Sequence, residues 1–146
     1  MPAATRKKMG TPKPFKILVV DDEEVVRCTV EMFLDFLGHS AVCVKDGQAG
    51  ISELQENDYD AAIVDIRMPG ISGLDFLARA KEIRPEIPVI LISGHGGDQT
   101  RIEAHEGGAF DFLAKPFRLE AIRQIIENIR TSRETGSEKH PAHTPP

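Results

Sequence analysis

Five polar residues attract notice because each follows a short apolar run. Asp21 and Asp22 come after Ile17-Leu18-Val19-Val20, Asp65 after Ala61-Ala62-Ile63-Val64, and Ser93 after Val89-Ile90-Leu91-Ile92. Lys115 follows Phe110-Asp111-Phe112-Leu113-Ala114 and precedes Pro116. Brought together, they supply two acids, a nucleophilic carboxylate, a hydroxyl and an ammonium. Two carboxylates about 4 Å apart repel by about 4 kcal/mol at an effective dielectric of about 20, so three of them need a cation. Oxygen donors without Cys or His suit Mg2+, which keeps several waters and completes its shell with a phosphate oxygen. With the metal and Lys115 neutralising a phosphoryl group from two sides, Asp65 is placed to attack in line and form an aspartyl phosphate. Ser93 offers its hydroxyl to another phosphoryl oxygen, and Pro116 pins the backbone beside the Lys115 point charge.

Each residue alone also has a plainer role. Asp21 and Asp22 suit the positive end of the next helix dipole, Asp65 suits a loop, Ser93 before Gly94 suits a turn, and Lys115 suits solvent. What argues against coincidence is their joint order across strands one, three, four and five.

The elements that must carry these residues follow from periodicity and breakers. Lys16 to Val20 reads as strand one, and the helix after it runs to about Leu37, with Val26, Val30, Phe33 and Leu37 on one stripe and Gly38 as its stop. Strand two is Ala41 to Val44. Asp46-Gly47 opens a second helix whose Gly50, Ile51 and Leu54 face inward; a helical Gly costs about 1 kcal/mol against Ala, so close packing must require Gly50. Strand three ends at Asp65, and Pro69-Gly70 turns the chain into a third helix, Leu74 to Ile83, buried through Leu74, Leu77 and Ala78. Arg84-Pro85 breaks it. Strand four, Val89 to Ile92, leads into the glycine-rich loop Ser93 to Asp98. The fourth helix has only Ile102 and Ala104 as inward residues and is expected to be the least firmly held. Strand five is Phe110 to Ala114, and the last helix, Leu119 to Arg130, has Ile122, Ile125, Ile126 and Ile129 on one face. Five strands alternating with five helices make a doubly wound α/β sandwich, whose ligand crevice lies at the C-terminal ends of the strands.

The chain has 146 residues, 40% hydrophobic and 28% charged, which suits one globular domain. No repeat, heptad pattern, secretory signal or membrane-length apolar run is present, and a cytoplasmic location is expected. The net charge is −5. Residues 1–14 carry four basic and no acidic side chains, and residues 131–146 carry two of each, so the body between them is −9. Such a body is unsuited to nucleic acid, and direct DNA binding is not expected. Residues 1–14 read as a flexible N-terminal tail and 131–146 as a disordered C-terminal tail, leaving a domain at 15–130. His140 and His143 in that tail lack further metal ligands. Cys28 and Cys43 read as two buried thiols rather than a disulfide.

In these stretches the chain resembles the receiver domains of two-component response regulators. The resemblance is carried by Ile17 to Glu23, by Asp65-Ile66-Arg67-Met68-Pro69-Gly70 with Ser72-Gly73, by Ser93-Gly94-His95-Gly96, and by Gly108 to Phe117. It covers about residues 15 to 130. It implies a flavodoxin-like fold of five parallel strands in order 2-1-3-4-5 with helices on both faces. It further implies that Asp65 is the phospho-acceptor, that Asp21 and Asp22 hold Mg2+ with the backbone carbonyl of Arg67, that Lys115 contacts the phosphate, and that Ser93 and Phe112 are the switch hydroxyl and switch aromatic. The implied partners are a sensor histidine kinase or phosphotransfer protein, and a downstream protein bound through the face of helix four, strand five and helix five. Ser93 stands where Thr is commoner, Arg118 where a capping Asp or Ser is frequent, and Phe112, standing where Tyr is frequent, lacks the hydroxyl of a switch Tyr.

The expected function is a phosphorylation-dependent switch that is no enzyme beyond its own phosphorylation and dephosphorylation, with no output domain in this chain. One alternative is a receiver fragment of a larger transcription regulator or hybrid kinase. Another is an Asp-nucleophile phosphatase, which needs a second acid two residues after the nucleophile, where this chain has Arg67. A flavodoxin-like electron carrier is disfavoured because Asp21-Asp22-Glu23-Glu24 would repel a phosphate.

Overall fold

The computed structural model describes residues 13–94 and 98–135. Strands β1 (Lys16–Val20), β2 (Ser40–Val44), β3 (Ala61–Asp65), β4 (Val89–Ser93) and β5 (Asp111–Ala114) alternate with helices α1 (Glu24–Phe36), α2 (Gly47–Glu56), α3 (Gly73–Ile83), α4 (Asp98–Glu106) and α5 (Leu119–Thr135). The strands pair in parallel in the order β2-β1-β3-β4-β5, as the resemblance implies. Order reverses between β1 and β3, so the crevice above their C-terminal ends is the place where an open α/β sheet binds ligands.

Side chains alternate across the sheet and build two cores. Leu18, Val20, Ala62, Val64 and Leu91 face Ile51 and Leu54 of α2 and Phe76, Leu77 and Ala80 of α3. Ile17, Val19, Ile63, Ile90 and Ile92 face Val30 and Leu34 of α1 and the isoleucines of α5. A Cβ at Gly50 would lie 2.8 Å from the Phe76 ring and 2.9 Å from a Val20 methyl, which is the close packing that the helical glycine was expected to serve.

Several inward positions differ from expectation. In α3 the buried residues are Phe76, Leu77 and Ala80, while Ala78 is exposed and Leu74 only half-buried, because the helix starts at Gly73 under a Ser72–Asp75 capping box and its stripe is turned accordingly. In α1 the deepest side chains are Val30 and Leu34, with Phe33 and Leu37 flanking them. Ile102 is 48% exposed, which leaves Ala104 as the buried anchor of α4. Cys28 is exposed and Cys43 half-buried; both thiols are free.

The last helix also overruns its expected end at Arg130, continuing to Thr135. No Gly or Pro interrupts the chain before Gly136, and the extra turn gains partners: Arg133 pairs with Asp60 at 3.2 Å and lies over the Phe15 ring. Arg130 donates to the carbonyl of Lys13, so the end of the expected N-terminal tail is tied to this helix. His140 and His143 lie outside the described residues, as do His95 and Gly96 of the loop after β4. No helix among the described residues is long and apolar enough to cross a membrane.

Candidate functional site

Register assembles the site. Val20 of β1 is opposite Val64 of β3, so Asp21 and Asp65 emerge side by side. Asp65 in turn is opposite Ile92, which puts Ser93 one residue further along the same edge, and Ser93 is opposite Ala114, one residue before Lys115. The Lys115 N–H donates to the Ser93 carbonyl at 2.9 Å and holds this last step. Each apolar run thus works as a ruler that delivers its terminal polar residue to the crevice.

The loop after β3 is held by Gly73. Its N–H donates to the Ile66 carbonyl at 2.9 Å. A Cβ there would fall 2.5 Å from the Asp65 carbonyl oxygen and 2.6 Å from the Ile66 Cα, so only glycine lets α3 approach the end of β3 so closely. Gly70, with φ of +81°, makes the turn between them.

The structure brings Asp21, Asp22, Asp65 and Lys115 together. One carboxylate oxygen from each Asp lies within 4.8 Å of the others. Asp21 and Asp65 are buried, whereas Asp22 is exposed. The Lys115 ammonium lies 3.9 Å from the Oδ2 atoms of both Asp21 and Asp65. Asp21 Oδ1 accepts the Glu23 N–H at 2.9 Å, and Asp65 Oδ1 accepts the Arg67 N–H at 3.4 Å. Asp21 Oδ2 is buried and accepts no hydrogen bond; at 3.9 Å the ammonium attracts it electrostatically without bonding to it.

Burial, reinforced by the neighbouring Asp21 charge, pushes the Asp65 carboxyl up to about 6 despite the opposing pull of Lys115. Burial also raises Asp21, against its hydrogen bond from Glu23 and the charge of Lys115. For Lys115, burial works to lower the ammonium, but the Glu23 hydrogen bond and the Asp65 and Asp21 charges outweigh it and hold it above its ordinary value. An unbonded buried carboxylate oxygen, hard oxygen donors and two acids raised chiefly by burial fit a divalent cation bound by Asp21, Asp22 and Asp65.

Ser93 is buried at the edge, and Arg67 is exposed with its backbone beside Asp65. Phe112 lies one strand further out, half-buried against the α2–α3 core, with the Arg101 guanidinium of α4 centred 4.5 Å over its ring. Three participants escaped the sequence reading. Glu23, given no role of its own within the acidic run Asp21 to Glu24, accepts a hydrogen bond from Lys115 at 3.0 Å. Arg27 donates to the Asp21 carbonyl at 2.8 Å, and Arg101 covers Phe112. The third acid in the run Asp21 to Glu24 was a visible signal for Glu23; nothing local marks Arg27 or Arg101.

Fold and site together define a doubly wound domain with an acidic, lysine-flanked pocket at its switch point. The family model described as the response regulator receiver domain matches residues 17–127, and the chain belongs to that family. It is 36% identical over 140 residues to the C4-dicarboxylate transport transcriptional regulatory protein DctD of Pseudomonas aeruginosa, covering 88% of this chain and 30% of that protein. It is 33% identical over 112 residues to the transcriptional regulatory protein FixJ of Bradyrhizobium diazoefficiens, covering 77% of this chain and 55% of the relative. The chain therefore spans roughly a third to a half of the length of these relatives. Among solved structures, a response regulator receiver domain protein from Clostridium thermocellum superposes with a TM-score of 0.77 at 32% identity, covering 82% of this chain and 97% of that one.

Proposed function

We propose that this domain is a phosphorylation-operated signalling switch in which Asp65 accepts a phosphoryl group from a histidine kinase or phosphotransfer protein. The observation that carries the reading is the placement of the Lys115 ammonium 3.9 Å from both the Asp65 and the Asp21 carboxylates, above a buried Asp21 oxygen that lacks a hydrogen bond. In the reaction an Asp65 oxygen forms a bond to phosphorus while the bond from phosphorus to the donor breaks, the leaving group keeping the electron pair. Lys115 orients the incoming group and offsets its charge. Ser93 supplies a hydroxyl at the adjacent strand end. Asp21, Asp22 and Asp65, with the backbone carbonyl of Arg67, would hold Mg2+, which when bound supplies charge neutralisation at the phosphoryl oxygens.

Readout is assigned to the α4–β5–α5 face. Phe112 lies there on β5, and α4 keeps Ala104 as its buried anchor, so this is the cheapest region to rearrange. A downstream protein is the proposed partner of that face, the acidic body disfavours direct DNA contact, and the cytoplasm is the proposed location. The domain is proposed to catalyse only its own phosphorylation and dephosphorylation, since Arg67 occupies the position where a phosphatase needs an acid. The coverage of longer transcriptional regulators favours a second reading of context, a receiver unit within a larger regulator, which the length of the encoding reading frame decides. Incubation with acetyl phosphate and Mg2+ tests the function: intact mass is expected to rise by one phosphoryl group, and a chain that stays unmodified would refute it.

A further inference from the structure

Glu23 is the N-cap residue of α1, a position whose side chain ordinarily accepts a hydrogen bond from the helix's own backbone. Here it caps nothing. Its backbone N–H is tied to Asp21 Oδ1 at 2.9 Å, and its carboxylate reaches across the crevice to accept from Lys115 at 3.0 Å. The same ammonium stands off at 3.9 Å from the two carboxylates it is proposed to serve. Of the three acids it pairs with, Lys115 is therefore hydrogen-bonded to the exposed one and only near the two buried ones.

We infer that Glu23 is a positioning residue that holds Lys115 in reserve and competes with the phosphoryl group for its ammonium, thereby setting how tightly the phosphorylated state is stabilised. This rests on the reading of Asp65 as phospho-acceptor. The ammonium has to exchange its 3.0 Å bond to Glu23 for one to a phosphoryl oxygen, and because Glu23 is 59% exposed the competition is modest. Exposed ion pairs shift equilibria by up to about five-fold.

The test is calorimetric titration of the full chain with beryllofluoride, a phosphoryl mimic, in Mg2+. Glu23→Gln is expected to bind it about two- to five-fold more tightly than wild type. Glu24→Gln removes the same charge one residue further along, at the exposed start of α1, and is expected to give a smaller gain. In a Lys115→Met background the Glu23→Gln gain should vanish. A second readout needs no metal: the Lys115 side-chain ammonium resonance in the Mg2+-free protein should shift on Glu23→Gln and stay in place on Glu24→Gln. Equal affinity in wild type and Glu23→Gln, an equal gain from Glu24→Gln, a gain that survives Lys115→Met, or an unmoved ammonium resonance would each overturn the inference while leaving Asp65 phosphorylation intact. Failure of the wild type to bind beryllofluoride would overturn both.

Discussion

Asp65→Asn is expected to make the metal-free protein more stable at neutral pH, even though it removes the proposed reactive group. The Asp65 carboxyl titrates near 6 in the folded protein against an ordinary value of 3.8. Between those values the folded state holds a proton that the unfolded chain has lost, so stability falls as pH rises from about 4 to about 6 and stays lowered above that. The full gap corresponds to about 3 kcal/mol, at 1.36 kcal/mol per pH unit. Local relaxation around the ionised carboxylate reduces this to about 1–2 kcal/mol, or about 3–7 °C in melting temperature for a chain of this size. Urea and thermal melts in EDTA from pH 4 to pH 8 measure it directly. Wild type and Asp65→Asn should converge near pH 4 and separate above pH 6, with the variant the more stable. Equal stability at pH 7.5, or a less stable variant, would refute the claim that ionising the buried Asp65 beside Asp21 is costly.

Mg2+ at millimolar concentration should raise the wild-type melting temperature, because a cation held by the proposed acidic site of the folded state alone is stabilising, and Asp22→Ala should remove most of that rise; differential scanning calorimetry checks both. Gly73→Ala should cost at least about 1–3 kcal/mol in urea melts and blunt the Mg2+ response, since its Cβ would press on the Asp65 carbonyl from 2.5 Å. Beryllofluoride in Mg2+ should change amide exchange within residues 98–117, around α4 and Phe112, as well as in the loops after Asp22 and Asp65; changes confined to those two loops would mean that the site is filled without transmission.

Most of the sheet was legible in the sequence because each strand is a short, largely apolar run followed or closed by a polar residue, and that pattern also exposed Asp21, Asp65, Ser93 and Lys115. Their convergence follows from the register between Val20 and Val64, Asp65 and Ile92, and Ser93 and Ala114, which no single segment encodes. The misread positions share a cause. A stripe of apolar residues gives the face of a helix but not its rotation to within one residue, so Ala80 was overlooked in favour of Ala78, and Leu34 in favour of its neighbours. Ile102 looked like an anchor by hydropathy and is nearly half exposed, because α4 presents too little apolar surface to be seated firmly. The acidic run marked Glu23 as a candidate but not its partner, since that contact joins Glu23 to Lys115 across 92 residues, and nothing local marked Arg101, which meets β5 from α4 over a ring face.

The central claim is that Asp65 itself takes the phosphoryl group, and peptide mapping tests it most directly. After treatment with acetyl phosphate and Mg2+, borohydride reduction should convert the modified aspartate to homoserine. The account predicts that change on the peptide containing Asp65, and its loss in Asp65→Asn. Modification mapped to another residue, or incorporation undiminished in Asp65→Asn, would contradict it.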